Sequence, residues 1–221
     1  MLHSVAEIRG LLKAEGILGV SEYCDRLKSQ MQNVESYRDL LAEAYAALTF
    51  ARSQFKVTMR DCPDLKLEFN GSTVGAEVKR FRRKEQDDID DRRMEDANDF
   101  IEYGNTLSTE GQEAWEQIED VLVKKCSQLW SGFPNVVVIL SSSPHCIEET
   151  EVMLAVNSMS DRRTPSNSQE LGRLNGVVFM SLEYNISRQR NVHFYECVGP
   201  TVALPQQASD TIAAIREWKT G

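Results

Sequence analysis

Pro63-Asp64-Leu65-Lys66-Leu67-Glu68-Phe69, then Asn70-Gly71, then Ser72-Thr73-Val74-Gly75-Ala76-Glu77-Val78-Lys79 is the stretch that decides the fold. Asn-Gly between two alternating runs is the strongest short-range hairpin signal, because a type I′ turn needs φ > 0 at both central residues. With Asn70-Gly71 as a two-residue loop, Phe69 faces Ser72 and Asp64 faces Glu77. A loop longer by two residues on the Ser72 side alone sets Asp64 opposite Lys79. Side chains alternate with period two, so Asp64, Glu77 and Lys79 share one face in either register. Leu65, Leu67 and Phe69 meet Val74, Ala76 and Val78 on the other, apolar face. Facing residues have Cβ atoms about 4.5–5.5 Å apart. Two carboxylates that close repel each other unless a cation lies between them, and Mg2+ is the natural choice for oxygen ligands.

Working outward, Val34-Glu35-Ser36-Tyr37 through Gln54 is the clearest helix, with Tyr37, Leu40, Leu41, Ala44, Leu48 and Ala51 at helical spacing. Phe55-Lys56-Val57-Thr58-Met59 alternates as a strand. A helical stretch is strongest at 110–130, where Trp115, Ile118, Val121, Leu122, Cys126 and Leu129 form a stripe, and Gly132-Phe133-Pro134-Asn135 ends it. Val136-Val137-Val138-Ile139-Leu140 is an all-apolar run, as expected of a strand buried on both faces.

Pro63-Asp64 with Glu77-Val78-Lys79 resembles the catalytic core of the PD-(D/E)xK nuclease superfamily, the restriction-endonuclease-like fold. Leu65, Leu67, Val74 and Val78 match its strand pattern. The resemblance spans roughly residues 34–141. It implies an α/β fold with an αβββαβ core, a mixed central sheet flanked by helices, and N- and C-terminal additions. It implies a Mg2+-dependent endonuclease or exonuclease, with Mn2+ as a substitute, that hydrolyses phosphodiester bonds of DNA. Asp64 and Glu77 would hold the metal, the backbone carbonyl of Val78 would add a ligand, and Glu43 on the first core helix would reach it. Lys79 would position or deprotonate the attacking water, helped by the nearby cation, which lowers a lysine pKa.

The remaining chain divides into a helical appendage at 1–33 and an extension of the same domain at 142–221. The appendage breaks near Gly16–Gly19, and Leu11, Leu12, Ile17 and Leu18 make an apolar patch for a protein partner. In the extension, Glu148–Ser158 reads as a helix, Asp161–Gln169 as a loop, and Val177–Leu182 and Val192–Cys197 as strands. Ser209–Trp218 reads as a terminal helix capped by Ser209 or Asp210.

The 221 residues carry a net charge of −9, which argues against a general nucleic-acid coating protein. Charge is uneven, however. Arg80, Arg82, Arg83 and Lys84 follow Lys79 and are candidates for holding a phosphate backbone, whereas residues 85–99 are dense in acid. No apolar stretch approaches the ~18 residues of a membrane span. The N-terminus lacks the layout of a secretory signal. The five cysteines form no CxxC pair, so reduced thiols in the cytoplasm are expected and a zinc site is not. A phosphate-binding GxxxxGK[ST] loop is absent. The competing class is a non-catalytic binding or assembly module that keeps the nuclease fold. A homodimer is expected only by analogy with enzymes that cut both strands.

Overall fold

In a computed structural model of the protein, which describes residues 4–81, 113–141, 149–162, 164, 168–182 and 190–215, the Asn70-Gly71 turn has φ values of 48° and 79°. Both are left-handed, as a type I′ turn requires. β2 (Leu65–Phe69) and β3 (Ser72–Phe81) therefore pair antiparallel with Phe69 opposite Ser72 and Leu65 opposite Ala76. The two-residue loop sets the register. Continued by one residue, it brings Asp64 to Glu77 and excludes the pairing of Asp64 with Lys79.

β1 (Lys56–Met59) lies antiparallel to β2 on the outer side. β4 (Asn135–Ser141) runs parallel to β3, and β5 (Gly176–Leu182) runs parallel to β4. β6 (Arg190–Glu196) closes the sheet antiparallel to β5. The six strands stand in the sheet in chain order. The result is a mixed α/β arrangement, a mixed sheet flanked by helices. β4 is buried along its whole length because both faces are covered, which explains its unbroken apolar run.

α1 (Val5–Ala14), α2 (Val20–Ser29) and α3 (Val34–Arg52) cover one face of the sheet. The apolar hairpin face, Leu65, Leu67, Val74, Ala76 and Val78, packs there with Val136, Val138 and Leu140. α4 (Ala114–Cys126), α5 (Glu149–Asp161) and the short α6 (Ser168–Leu171) lie on the other face. Ile118, Leu122, Val152 and Met159 meet Val137, Ile139, Val177 and Phe179 there.

α3 is buried on more than the single stripe its spacing predicts. Ala46, Ala47 and Phe50 are fully buried beside Tyr37, Leu41 and Leu48. The extra contact comes from α1 and α2, whose Ile8, Leu12, Val20, Tyr23 and Leu27 share the same core. The segment expected as an appendage thus packs as one body with α3. Tyr23 donates its hydroxyl to the Leu40 carbonyl at 2.7 Å. The break between α1 and α2 lies along β1: Leu18 N–H donates to the Val57 carbonyl at 3.0 Å, and Met59 N–H to that of Leu18 at 2.9 Å. That contact covers part of a sheet edge. Of the apolar patch, Leu12 and Ile17 are buried, while Leu11 and Leu18 stay exposed.

α7 (Gln206–Ala213) begins three residues before the expected start, behind an N-cap at Pro205. Ser209 is buried within it and donates its hydroxyl to Glu196. It is therefore an anchor to β6 and not a cap. Among the described residues no helix is long and apolar enough to cross a membrane.

Candidate functional site

Asp64 follows a cis Cys62–Pro63 bond and immediately precedes β2. Its Oδ2 accepts the Val78 backbone N–H at 2.7 Å, where the β2 ladder has ended. The Asp64 backbone N–H points to Glu77 Oε2 at 3.4 Å, at the long limit of a hydrogen bond. Asp64 is 8% exposed and Glu77 3%. Two carboxylates are thus held side by side in the interior. Burial pushes the Asp64 carboxyl up to about 7, and the Glu77 charge adds to the push.

Glu43 supplies a third acid from α3, its side chain 12% exposed. Burial raises its carboxyl to about 8, with the Asp64 charge next in importance and the Glu77 charge contributing further. The structure therefore gathers Glu43, Asp64 and Glu77 into one electrostatic unit. Lys79 lies two residues beyond Glu77 on the same face of β3, roughly 7 Å along the strand, and is half-buried.

Two cations in this group have no counterpart among the expected residues. Lys125, in the last turn of α4, places Nζ 2.5 Å from Glu77 Oε1. Arg26, on α2, places Nη2 3.1 Å from Glu43 Oε2 and Nη1 3.3 Å from Asp61 Oδ1. The sequence holds a faint signal for Lys125, which sits between Leu122 and Cys126 at the edge of an apolar stripe. Arg26 gives none, because its partner is 17 positions away on another helix. Removing Lys125, 22% exposed, would leave the Glu77 charge, 5% exposed, uncompensated; the cost stays below the ~3–5 kcal/mol of a fully buried pair because water still reaches the lysine. Exposed pairs such as Lys28–Asp25 contribute about 0–1 kcal/mol.

Arg80 departs from its expected role on nucleic acid. It points to the opposite face of β3, is 7% exposed, and holds Glu35 at 2.6 Å and Asp39 at 2.9 Å on α3. Strand alternation explains this: Arg80 follows Val78 onto the α3 side, so its guanidinium ties helix to sheet. Arg82, Arg83, Lys84 and the acidic run 85–99 lie outside the described residues. Phe81 is half-buried against the second core. On the rest of the polar hairpin face, Lys66 pairs with Glu68 at 2.8 Å.

Among the described residues no three acid, histidine or cysteine side chains converge tightly enough to grip an ion as they stand. Arg26 draws Glu43, Lys125 draws Glu77, and the Val78 N–H draws Asp64. As a donor set the three still suit a hard divalent cation, since all are carboxylates largely withdrawn from solvent, and burial, with their neighbours' charge added, pushes Asp64 and Glu43 up. No family model, curated protein or solved structure matches this chain.

Proposed function

We propose that the protein is a metal-dependent nuclease that hydrolyses phosphodiester bonds of DNA. The observation that carries this reading is the buried Asp64–Glu77 pair across the hairpin, with Lys79 next along the same strand face. The order of α3, β1, β2, β3, α4 and β4 supports a restriction-endonuclease-like core, as does the parallel pairing of β3 with β4.

Asp64, Glu77 and the Val78 carbonyl would hold Mg2+, or Mn2+ in its place, with Glu43 as a further oxygen ligand. When bound, such an ion lowers the pKa of a coordinated water and neutralises charge on phosphoryl oxygens. Asp64 and Glu77 fix the donor positions because each is anchored, one by the Val78 N–H and the other by Lys125. Lys79 orients the attacking water and takes or shares its proton. The low exposure around the pair keeps bulk water out, so each charge acts more strongly than it would in solvent. Arg82, Arg83 and Lys84, which follow Lys79 closely in the sequence, would meet the substrate backbone.

One observation favours a second reading, a binding or assembly module that does not cut. Lys125 and Arg26 already supply cations to Glu77 and Glu43 without a metal. Titration calorimetry of the metal-stripped full chain with Mg2+ separates the two. The nuclease reading predicts saturable binding in the parent, loss of it in Asp64→Asn, and retention in Lys79→Ala. Absence of binding in the parent supports the module.

A further inference from the structure

The turn between α4 and β4 carries two aromatic rings and is bonded to the hairpin that holds the acid pair, the Gly75 N–H donating to the Pro134 carbonyl at 3.0 Å. Asn135, fully buried, opens β4 opposite Gly75 of β3. Its Oδ1 accepts the Trp130 backbone N–H at 3.1 Å. Its Nδ2 donates to the carbonyls of Trp130 at 2.9 Å, Phe133 at 2.8 Å and Arg173 at 3.1 Å. One side chain thus fixes the backbone of the whole turn. The Trp130 and Phe133 rings meet edge to face with centroids 5.6 Å apart. The Arg60 guanidinium lies over the Trp130 ring, 5.0 Å from its centroid.

These rings are not core residues. Trp130 and Phe133 join neither apolar cluster of the described residues. Phe133 is 47% exposed, and Arg60 is exposed as well. The Phe133 ring is therefore presented to solvent on a turn that Asn135 ties down from beneath, and the Arg60 guanidinium is presented beside it from the β1–β2 connection.

Several bonds join this surface to the acids. The Arg60 backbone N–H donates to the Asp64 carbonyl at 2.8 Å. Arg26, which pairs with Glu43, also donates to the Arg60 carbonyl at 3.1 Å. Cys62 Sγ donates to the Gln128 carbonyl at 3.2 Å. The Asn135 side chain sits over Gly75, which lies two residues from Glu77 on the same face of β3, roughly 7 Å away.

We propose that Arg60, Trp130 and Phe133 form a stacking platform for an unpaired base of a DNA single strand, next to the phosphate that is cut. The proposal rests on the nuclease reading and names its substrate class. Every base has a π-face, so an aromatic ring or a guanidinium plane receives it without regard to sequence. A duplex keeps its bases stacked on one another and cannot use such a surface unless it frays. The platform therefore selects single strands, flaps or ends. Arg60 adds positive charge where the strand's own charge needs it, in a chain whose net charge of −9 disfavours holding DNA by bulk electrostatics.

The test uses the full chain in EDTA, so that binding is read without cutting. Fluorescence anisotropy follows a labelled oligothymidylate about 20 nucleotides long, longer than a typical single-strand site, and a duplex of equal length. The single strand is expected to bind more tightly than the duplex. Phe133→Ala and Arg60→Ala should each weaken it roughly tenfold, within the range of one base–aromatic stack, whereas Phe133→Tyr should retain it. Equal affinity for both DNAs, no binding of either, or no change in Phe133→Ala and Arg60→Ala overturns the platform. Cutting is then measured in Mg2+. Cutting with binding that ignores both substitutions sinks the platform and leaves the nuclease. Platform-dependent binding with no cutting sinks the nuclease and leaves a single-strand binding site.

Discussion

The Asp64 carboxylate accepts the Val78 N–H while facing the Glu77 charge, and Glu43 feels both acids from α3. That crowding has a consequence for stability. An ordinary carboxyl ionises near pH 4 in the unfolded chain, but Asp64 holds its proton to about 7 and Glu43 to about 8 when folded. Between pH 4 and 8 the folded chain binds protons that the unfolded chain has released. Stability from these groups is therefore greatest at the acid end of this window and is lost as pH rises through 7 to 8. In metal-free buffer the melting temperature should fall from pH 5.5 to pH 8.5, and Glu43→Gln should flatten the fall. An unchanged slope in Glu43→Gln would show that this carboxyl is not the group that titrates. Asp64 and Glu77 were legible in the sequence because strand alternation and a two-residue turn are local. Lys125 left only a faint trace at the edge of its apolar stripe and Arg26 none, since each reaches the site from a distant helix.

At the scale of elements, β3 and β4 approach closely at Gly75 and Asn135. A Cβ at position 75 would lie 2.3 Å from Asn135 Oδ1 and 3.1 Å from Pro63 Cγ. Asn135 has no freedom to retreat. Besides its bonds to the α4–β4 turn, its backbone N–H donates to Asn175 Oδ1 at 2.8 Å, and Asn175 in turn donates to the Val202 carbonyl at 2.6 Å. Gly75→Ala should therefore destabilise the protein by roughly 1–3 kcal/mol, the usual range for overpacking. Urea denaturation measures it, and a change within about 0.5 kcal/mol, the ordinary surface effect, would contradict the packing described. Nothing in the strand's alternation singles out this glycine, because the side chain that excludes a Cβ comes from a residue 60 positions further on. Periodicity did reveal α3, the hairpin and β4. It misplaced the start of α7, where Ser209 resembles a cap but is occupied by Glu196 on β6.

Across the whole molecule, the sheet keeps chain order from β1 to β6, and helices cover both faces. The sequence showed which faces are apolar, but not what covers them. That is why residues 1–33 read as an appendage and yet supply Leu12, Tyr23 and Leu27 to the principal core. It is also why Arg80, next to Lys79 in the chain, serves the opposite side of the sheet. The central claim is that Asp64, Glu77 and Lys79 form one hydrolytic site on this scaffold. Its most direct measurement is cleavage of labelled single-stranded, duplex and branched DNA by the full chain with Mg2+ or Mn2+, beside Lys79→Ala. Metal-dependent cutting by the parent is predicted, with loss of at least about a hundredfold in Lys79→Ala, the lower range for one acid–base group, and a melt close to the parent's. No cutting of any substrate, or full cutting by Lys79→Ala, would contradict the claim.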